Sequence, residues 1–174
     1  MDMVDTERYA RHISLPDVGI TGQKLIDDSR VLVVGAGGLG SPVLMYLAAA
    51  GIGHIGVVDD DAVDLSNLQR QIIHSESAIG RPKVESAKER INSINSAIKV
   101  TTWNARLSPD NAEEILCDWD IVIDGTDNIP TRYLVDDVCN MLGIPWIYGS
   151  IYRFEGQVSS VSYTHLRAHE TREY

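Results

Sequence analysis

The chain has 174 residues, which is the size of one ordinary domain. Hydrophobic residues make up 44% of it, enough for a packed core and too many for a disordered chain. The formal net charge of -10 argues against a protein that binds nucleic acid nonspecifically, because such a protein needs a basic surface.

The cysteines and the apolar stretches indicate which cellular compartment the protein belongs to. Cys117 and Cys139 form no CxxC pair, which is typical of a reducing compartment and predicts no zinc site in this chain. We interpret both as small buried side chains. The N-terminus has no basic region followed by an apolar run, and the longest apolar stretches, such as 43–52, are about half as long as a bilayer-spanning helix. The sequence therefore predicts a cytoplasmic protein with no membrane partner.

Helices and strands are predicted to alternate along the chain. Short helices are expected at 7–13 and 21–28. Five strands follow, at 30–34, 55–58, 98–103, 121–123 and 145–148. The helices between them are expected at 39–50, from Pro82 to 94, at 109–116 and at 131–142. This alternation is typical of an α/β fold with a Rossmann-like parallel sheet and helices on both faces.

A glycine-rich turn follows the first predicted strand and leads into a predicted helix. Gly35, Gly37 and Gly40 fit the pattern G-x-G-x-x-G, and Gly38 lies within it. Glycines let the backbone approach a phosphate, and the N-terminus of a helix offers unpaired N–H groups. Asp59 ends the second predicted strand, where a carboxylate can accept hydrogen bonds from both ribose hydroxyls. The pattern predicts a site for NAD, FAD, S-adenosylmethionine or ATP; the alternative is that the glycines only permit tight strand–helix packing.

Charged residues beyond the second and fourth strands narrow this choice. Arg70 and Lys83 favour a triphosphate over a dinucleotide, because nucleotidyl transfer depends mainly on positioning and charge neutralisation. Taken singly, each is better explained as a solvated surface residue. Asp127 is a candidate Mg²⁺ ligand and equally a candidate N-cap of the next helix. Asp124 could be a partly buried acid at the end of its strand.

The chain resembles the ThiF/MoeB/HesA group, bacterial relatives of ubiquitin-activating enzymes. The stretches that carry the resemblance keep the family's order and spacing from about residue 7 to 158. They are RYARH (8–12), the glycine turn, Asp59 with Asp61, SNLQRQ (66–71), RPK (81–83), TDN (126–128) and FEGQ (154–157). The run at 66–71 is the most specific of them.

The resemblance implies an ATP-dependent adenylyltransferase that activates the C-terminal carboxylate of a ubiquitin-like sulfur-carrier protein ending in Gly-Gly, in molybdopterin or thiamine biosynthesis. In the family, that carboxylate attacks the α-phosphate of ATP and pyrophosphate leaves. The resemblance also implies a homodimer in which Arg11 reaches the γ-phosphate of ATP in the partner subunit.

The resemblance extends to individual residues. Its implied catalytic residues are Arg11, Arg70, Lys83 and Asp127, with Asp127 as the Mg²⁺ ligand. Its implied ATP-binding residues are Gly35, Gly37, Gly38, Gly40, Asp59, Asp61, Ser66, Asn67, Gln69, Arg70, Lys83, Asp127 and Asn128.

The resemblance stops near residue 158. Relatives continue with strands that contact the carrier and with two CxxC pairs, so the family's structural Zn²⁺ is not expected here. The last residues show no apolar period, and we interpret them as a non-native tail on a C-terminally truncated chain. The predicted organisation is an N-terminal helical segment (1–29), a ThiF-type nucleotide-binding domain (30–158) and a disordered or non-native tail (159–174).

Three other functions are alternatives at this point. A relative of the transfer-RNA threonylcarbamoyladenosine dehydratase would share the adenylation site, but the net charge and the 149–157 stretch favour the adenylyltransferase. An NAD- or FAD-binding redox domain would share the glycine turn. A non-catalytic dimeric scaffold would be expected to have lost Arg70, Lys83 or Asp127, and all three are present.

Overall fold

The computed structural model describes residues 4–162. Within that range the strands are β1 (Arg30–Val34), β2 (His54–Val58), β3 (Lys99–Trp103), β4 (Ile121–Asp124), β5 (Trp146–Tyr152) and β6 (Glu155–Val161). The helices are α1 (Ala10–Ile13), α2 (Gly19–Asp28), α3 (Gly40–Ala50), α4 (Lys83–Ile94), α5 (Ala112–Leu116) and α6 (Ile129–Leu142). None of the helices in this range has the length and hydrophobicity needed to cross a bilayer.

The strands form one sheet in the order β3-β2-β1-β4-β5-β6. All neighbouring pairs from β3 to β5 are parallel, which confirms the Rossmann-like prediction. The chain moves outward from β1 to β3 and then returns to β4 on the other side of β1. This reversal leaves a crevice at the carboxyl ends of the central strands, where open α/β sheets bind ligands.

The core follows from the alternation of side chains along the buried central strand. Val31 and Val33 of β1 pack with α3 and α4, whereas Leu32 and Val34 pack with α5 and α6. Because both faces of the strand are covered, four apolar residues in a row are buried. Helices on both faces were predicted, and the structure confirms them.

The far edge of the sheet differs from the prediction. β5 continues to Tyr152, four residues beyond its predicted end, and then turns back through Arg153, which has a φ of 56°. β6 pairs antiparallel with β5 and ends at Val161, past the predicted domain boundary at 158. A tight hairpin suffices here because antiparallel strands need no crossover helix. Most of the predicted tail, residues 163–174, lies outside the described residues.

Two helices begin three residues later than predicted. α1 starts at Ala10 rather than at residue 7, because the preceding residues form a turn in which Arg8 N donates to Asp5 Oδ1. α5 starts at Ala112 rather than at residue 109, because the side chain of Asn111 accepts a hydrogen bond from Ser108 N and closes a separate turn.

The cysteine prediction is correct for one residue only. Cys139 is fully buried on α6, and burial raises the pKa of its thiol to about 12. Cys117 is exposed at the C-terminal end of α5, where its Sγ donates to the carbonyl of Glu114. The buried face of α5 consists of Ala112, Ile115 and Leu116, and Cys117 lies outside this i, i+3, i+4 pattern.

The N-terminal helices are hydrogen-bonded to the ends of α3 and α4 through buried side-chain amides. Asn95 Nδ2 donates to the hydroxyl of Tyr9 at 2.8 Å. Gln23, which is fully buried, donates to the carbonyl of Ala50 at 3.0 Å and contacts His12 Nδ1 at 2.8 Å. These bonds hold α1 and α2 against the face of the sheet that α3 and α4 cover.

Candidate functional site

A cleft of about 640 Å³ lies at the carboxyl ends of the central strands, at the point where the strand order reverses. That size is typical of a small-ligand site. Its lining includes nine of the predicted site residues: Gly35, Gly37, Gly38, Asp59, Asp61, Arg70, Lys83, Asp127 and Asn128. The structure therefore brings together residues that follow three different strands, β1, β2 and β4.

Some glycines of the turn pack closely against the neighbouring backbone, and others face the cleft. Gly35 has a φ of 94°, a conformation that favours glycine, and its N–H donates to the carbonyl of Val58. Gly40 is buried and lies outside the cleft lining, and a Cβ atom on it would overlap the carbonyl oxygen of Gly35. Gly37 and Gly38 face the cleft, so the packing role and the ligand-facing role fall on different glycines.

Asp59 holds the turn from the end of β2. Its Oδ2 accepts a hydrogen bond from Ala36 N at 2.7 Å, and its Oδ1 accepts one from Asp61 N at 2.9 Å. Burial raises the pKa of Asp59 above its usual range, and the two backbone donors oppose that shift. Each carboxylate oxygen keeps a second lone pair, so the group can still accept from a ligand.

Lys83 opens α4 and is the buried cation of the cleft. Its side chain is 6% exposed, and its Nζ lies 2.7 Å from Oδ2 of Asp61, whose side chain is 66% exposed. The backbone also links the two residues, since Lys83 N donates to the carbonyl of Asp61 at 2.9 Å. The ammonium group therefore sits in a fixed position with one solvated counterion.

Arg70 is an exposed cation of the cleft. Its stem passes Gly38, lying 3.5 Å from where a Cβ of that glycine would be. The guanidinium donates to the carbonyl of Ser66 at 3.4 Å and to Gln69 Oε1 at 3.2 Å. Ser66, Gln69 and Asn67 do not line the cleft themselves. The structure places Ser66 and Gln69 behind Arg70, and no described contact joins them to the glycine turn.

The loop after β4 resolves the two interpretations of Asp127. The N-cap of α6 is Asn128, whose Oδ1 accepts from Thr131 N at 2.9 Å, so the capping interpretation of Asp127 is wrong. Asn128 is one residue closer to the helix and has the extended backbone that a cap requires. Asp127 is exposed and lines the cleft, which leaves its carboxylate free to face a ligand.

Arg11 lies apart from these residues. It is exposed on α1, which is anchored behind α3 and α4, and it does not line the cleft of its own chain. The lining of this cleft therefore includes Arg70 and Lys83 but not Arg11.

Arg132 is a cleft residue that the sequence analysis missed. Arg132 of α6 bonds Asp124 Oδ2 at 3.3 Å and the carbonyls of Thr126 and Gly149 at 3.0 Å each. Asp124 is 1% exposed, so the suggestion of a buried strand-end acid is confirmed. The sequence did contain a signal for this pair: an arginine lies in the first turn of the predicted helix that follows an acidic residue at the end of a strand.

Gln71 is another cleft residue that the sequence analysis missed. It is 4% exposed yet lines the cleft beside Gly37, and its Oε1 is buried with no hydrogen-bond partner in the described structure. Its position directly after Arg70, within the specific 66–71 run, was the only sequence signal.

Comparisons with known proteins agree with this geometry. A model of the ThiF family matches residues 9–173. A probable adenylyltransferase/sulfurtransferase MoeZ of Mycobacterium tuberculosis is 54% identical over 155 residues, covering 89% of this chain and 40% of that protein. A sulfur carrier protein adenylyltransferase of Thermus thermophilus is 47% identical, covering 89% of this chain and 57% of that protein. The chain thus spans about half the length of these relatives.

A solved structure also has the same fold as this chain. The Escherichia coli tRNA N6-threonylcarbamoyladenosine dehydratase TcdA, solved in complex with AMP, superposes with a TM-score of 0.79 at 31% sequence identity. The match covers 86% of this chain and 62% of that one. The sequence motifs, the fold and the family model agree, and the chain belongs to the ThiF family.

Proposed function

We propose that this chain is the ATP-binding part of an adenylyltransferase that activates the terminal carboxylate of a ubiquitin-like sulfur-carrier protein. One observation carries the proposal: Arg70 and Lys83 line the same cleft as Gly37, Gly38 and Asp59. The names of the relatives support it, since both are named as adenylyltransferases and one is named for a sulfur carrier. The AMP bound by the solved neighbour supports an adenine nucleotide.

The cleft residues suit a reaction between two anions. A carboxylate is already ionised at neutral pH, so its attack on the α-phosphate of ATP needs no general base. The new bond joins a carboxylate oxygen to the α-phosphorus, and the bond to the β-phosphate breaks to release pyrophosphate. Arg70 and Lys83 would neutralise the phosphates during this step. Asp59 would accept the ribose hydroxyls.

Asp127 is the residue we propose for Mg²⁺. The ion prefers one or two carboxylates together with phosphate oxygens, and it would neutralise phosphate charge when bound. Asp59, Asp60 and Asp61 also bring one carboxylate oxygen each within 4.8 Å of one another. Asp59 already accepts two backbone hydrogen bonds, and Asp61 pairs with Lys83. Asp127 is therefore the better candidate for the ion.

We further propose a homodimer in which Arg11 completes the site of the partner subunit. Arg11 is exposed, lies outside its own cleft and sits on a helix that buried amides hold in place. A cation fixed on the surface in this way suits a role in a neighbouring molecule better than a role in its own cleft.

The remaining expectations are also proposals. Molybdopterin and thiamine biosynthesis both fit the site, and we propose the cytoplasm as the location. We propose that residues 30–161 form the nucleotide-binding domain, because β6 pairs with β5 up to Val161. A dehydratase function has less support, because the adenylyltransferase relatives are 54% and 47% identical while the dehydratase is 31% identical.

Exchange of labelled pyrophosphate into ATP tests the proposed function. We expect exchange that requires both Mg²⁺ and a carrier ending in Gly-Gly, and none with the same carrier lacking its last glycine. Tight binding of NAD or FAD without any ATP binding would replace the proposal with a redox domain.

A further inference from the structure

A buried histidine lies between the glycine turn and α4. His74 is 8% exposed and does not line the cleft. Its Nε2 lies 2.9 Å from the carbonyl oxygen of Ala36, in the turn, and its Nδ1 lies 2.9 Å from the hydroxyl of Ser86, on α4. The ring therefore joins two elements that are distant in sequence.

These contacts define the protonation state of the ring. A carbonyl oxygen can only accept, so Nε2 carries the proton and donates to Ala36, while Nδ1 accepts from Ser86. Burial lowers the pKa of His74, and the positive charge of Lys83 lowers it further. The bond to Ala36 and the negative charge of Asp59 oppose this shift. The ring is neutral near pH 7.

The histidine also belongs to a closed network of contacts that links the glycine turn, Asp59, Asp61 and α4. Ala36 N donates to Asp59, Asp61 N donates to the same carboxylate, and Asp61 pairs with Lys83. Lys83 and Ser86 both belong to the first turn of α4, so the network closes at the histidine. Ala36 is thus held through its N–H on one side and its carbonyl on the other.

We propose that His74 is a positioning residue that fixes the spacing between the glycine turn and Lys83. This inference rests on the proposed nucleotide-binding function, because that spacing matters for phosphates bound between the two. Without the ring, the Ala36 carbonyl would be a buried acceptor with no side-chain donor, and the turn could move relative to α4.

Two amide variants separate the two bonds of the ring. The amide of glutamine reaches about as far as Nε2, so His74→Gln keeps a donor for Ala36. The shorter amide of asparagine reaches about as far as Nδ1, so His74→Asn keeps only the contact with Ser86. We expect the affinity for Mg·ATP to stay within about threefold of wild type in the glutamine variant and to fall about tenfold or more in the asparagine variant.

A buried polar contact far from the cleft provides the control. Trp119 is 6% exposed, precedes β4 at the end of that strand opposite the cleft, and donates from Nε1 to the carbonyl of Ile115 at 2.9 Å. Trp119→Phe should lower the melting temperature while leaving the affinity for Mg·ATP unchanged. If the affinity of the His74 variants simply followed their melting temperatures, as it would for a purely structural residue, the inference would be overturned.

Two measurements do not depend on ATP. Nitrogen-15 NMR of wild type should show His74 neutral, with the proton on Nε2, at neutral pH. Hydrogen exchange at the Ala36 amide should be faster in His74→Asn than in His74→Gln. A charged ring, a proton on Nδ1 or equal exchange would overturn the inference even if ATP binds normally. Failure of wild type to bind Mg·ATP would instead remove the proposed function and with it the phosphate-spacing role.

Discussion

Two ion pairs lie on opposite sides of the cleft, and the exposure of their members is reversed. On the α4 side, the side chain of Lys83 is 6% exposed and that of Asp61 is 66% exposed. On the α6 side, the side chain of Arg132 is 23% exposed and that of Asp124 is 0% exposed. The buried member is the cation in one pair and the acid in the other.

This difference separates a pair suited to ligand exchange from a pair that serves the fold. Asp61 is solvated, so Lys83 can exchange this carboxylate for a phosphate at little cost. Asp124 has no access to water, and Arg132 also bonds two backbone carbonyls. Breaking that pair would leave a charge buried without a partner. Residues of the same chemical type in one cleft therefore differ in role because of their burial.

The largest effect should come from removing a cleft cation. We expect Lys83→Met and Arg70→Ala to lower pyrophosphate exchange about 1,000-fold or more, because the phosphate charge is no longer neutralised. Arg81→Ala, which removes an exposed arginine paired with Glu89, serves as the control. Normal exchange in the Lys83 and Arg70 variants, with folding confirmed by circular dichroism, would contradict the assignment.

The next effect should appear in stability. Arg132→Leu leaves Asp124 buried without its cation, and we expect the free energy of unfolding to fall by about 3–5 kcal/mol. Urea denaturation measures this change. Asp124→Leu combined with Arg132→Leu should recover part of the loss, since no uncompensated charge remains. A loss of less than about 1 kcal/mol would show that the two pairs do not differ in the way their burial indicates.

A smaller effect is expected for the solvated acid of the other pair. Asp61→Asn should change the free energy of unfolding by no more than about 1 kcal/mol, because Asp61 is exposed and the amide oxygen of the variant can still accept a hydrogen bond from Lys83. Its backbone contacts to Asp59 and Lys83 remain in the variant. A stability loss as large as that of Arg132→Leu would contradict the comparison.

The smallest effect concerns pH. The pKa of His74 is lowered in the folded state, so the unfolded chain binds a proton first as the pH falls. Stability should therefore decrease below about pH 6.5, by at most about 1.4 kcal/mol per pH unit, until the folded pKa is reached. Denaturation of wild type and His74→Gln over a pH series measures this. An unchanged slope in the variant would assign the pH dependence to another group.

The features that could be predicted from the sequence are those determined by short, contiguous sequence motifs. The strand, glycine turn and helix around Gly35–Gly40 are contiguous, and Asp59 follows a recognisable strand, so their places could be predicted. Arg70 and Lys83 were placed at the correct edge because each follows the second strand of a parallel sheet. Their partners Gln69 and Asp61 depend on side-chain conformations that the pattern does not specify.

The features that were missed depend on contacts between distant residues. Arg132 reaches the carbonyl of Gly149, and His74 reaches that of Ala36, so neither role is visible in a short window. β6 was missed for a different reason. Most of its residues are exposed, and Gly156 interrupts an already weak alternation, so the strand depends on its pairing with β5.

The overlap that any Cβ on Gly40 would have with the carbonyl of Gly35 has a practical meaning for protein engineering. An attempt to retarget the cleft by varying the whole glycine motif would mostly yield misfolded libraries, because this position tolerates no side chain. Diversity is better introduced at exposed lining positions such as Arg106 and Ile151, where new side chains meet solvent and the backbone stays as it is.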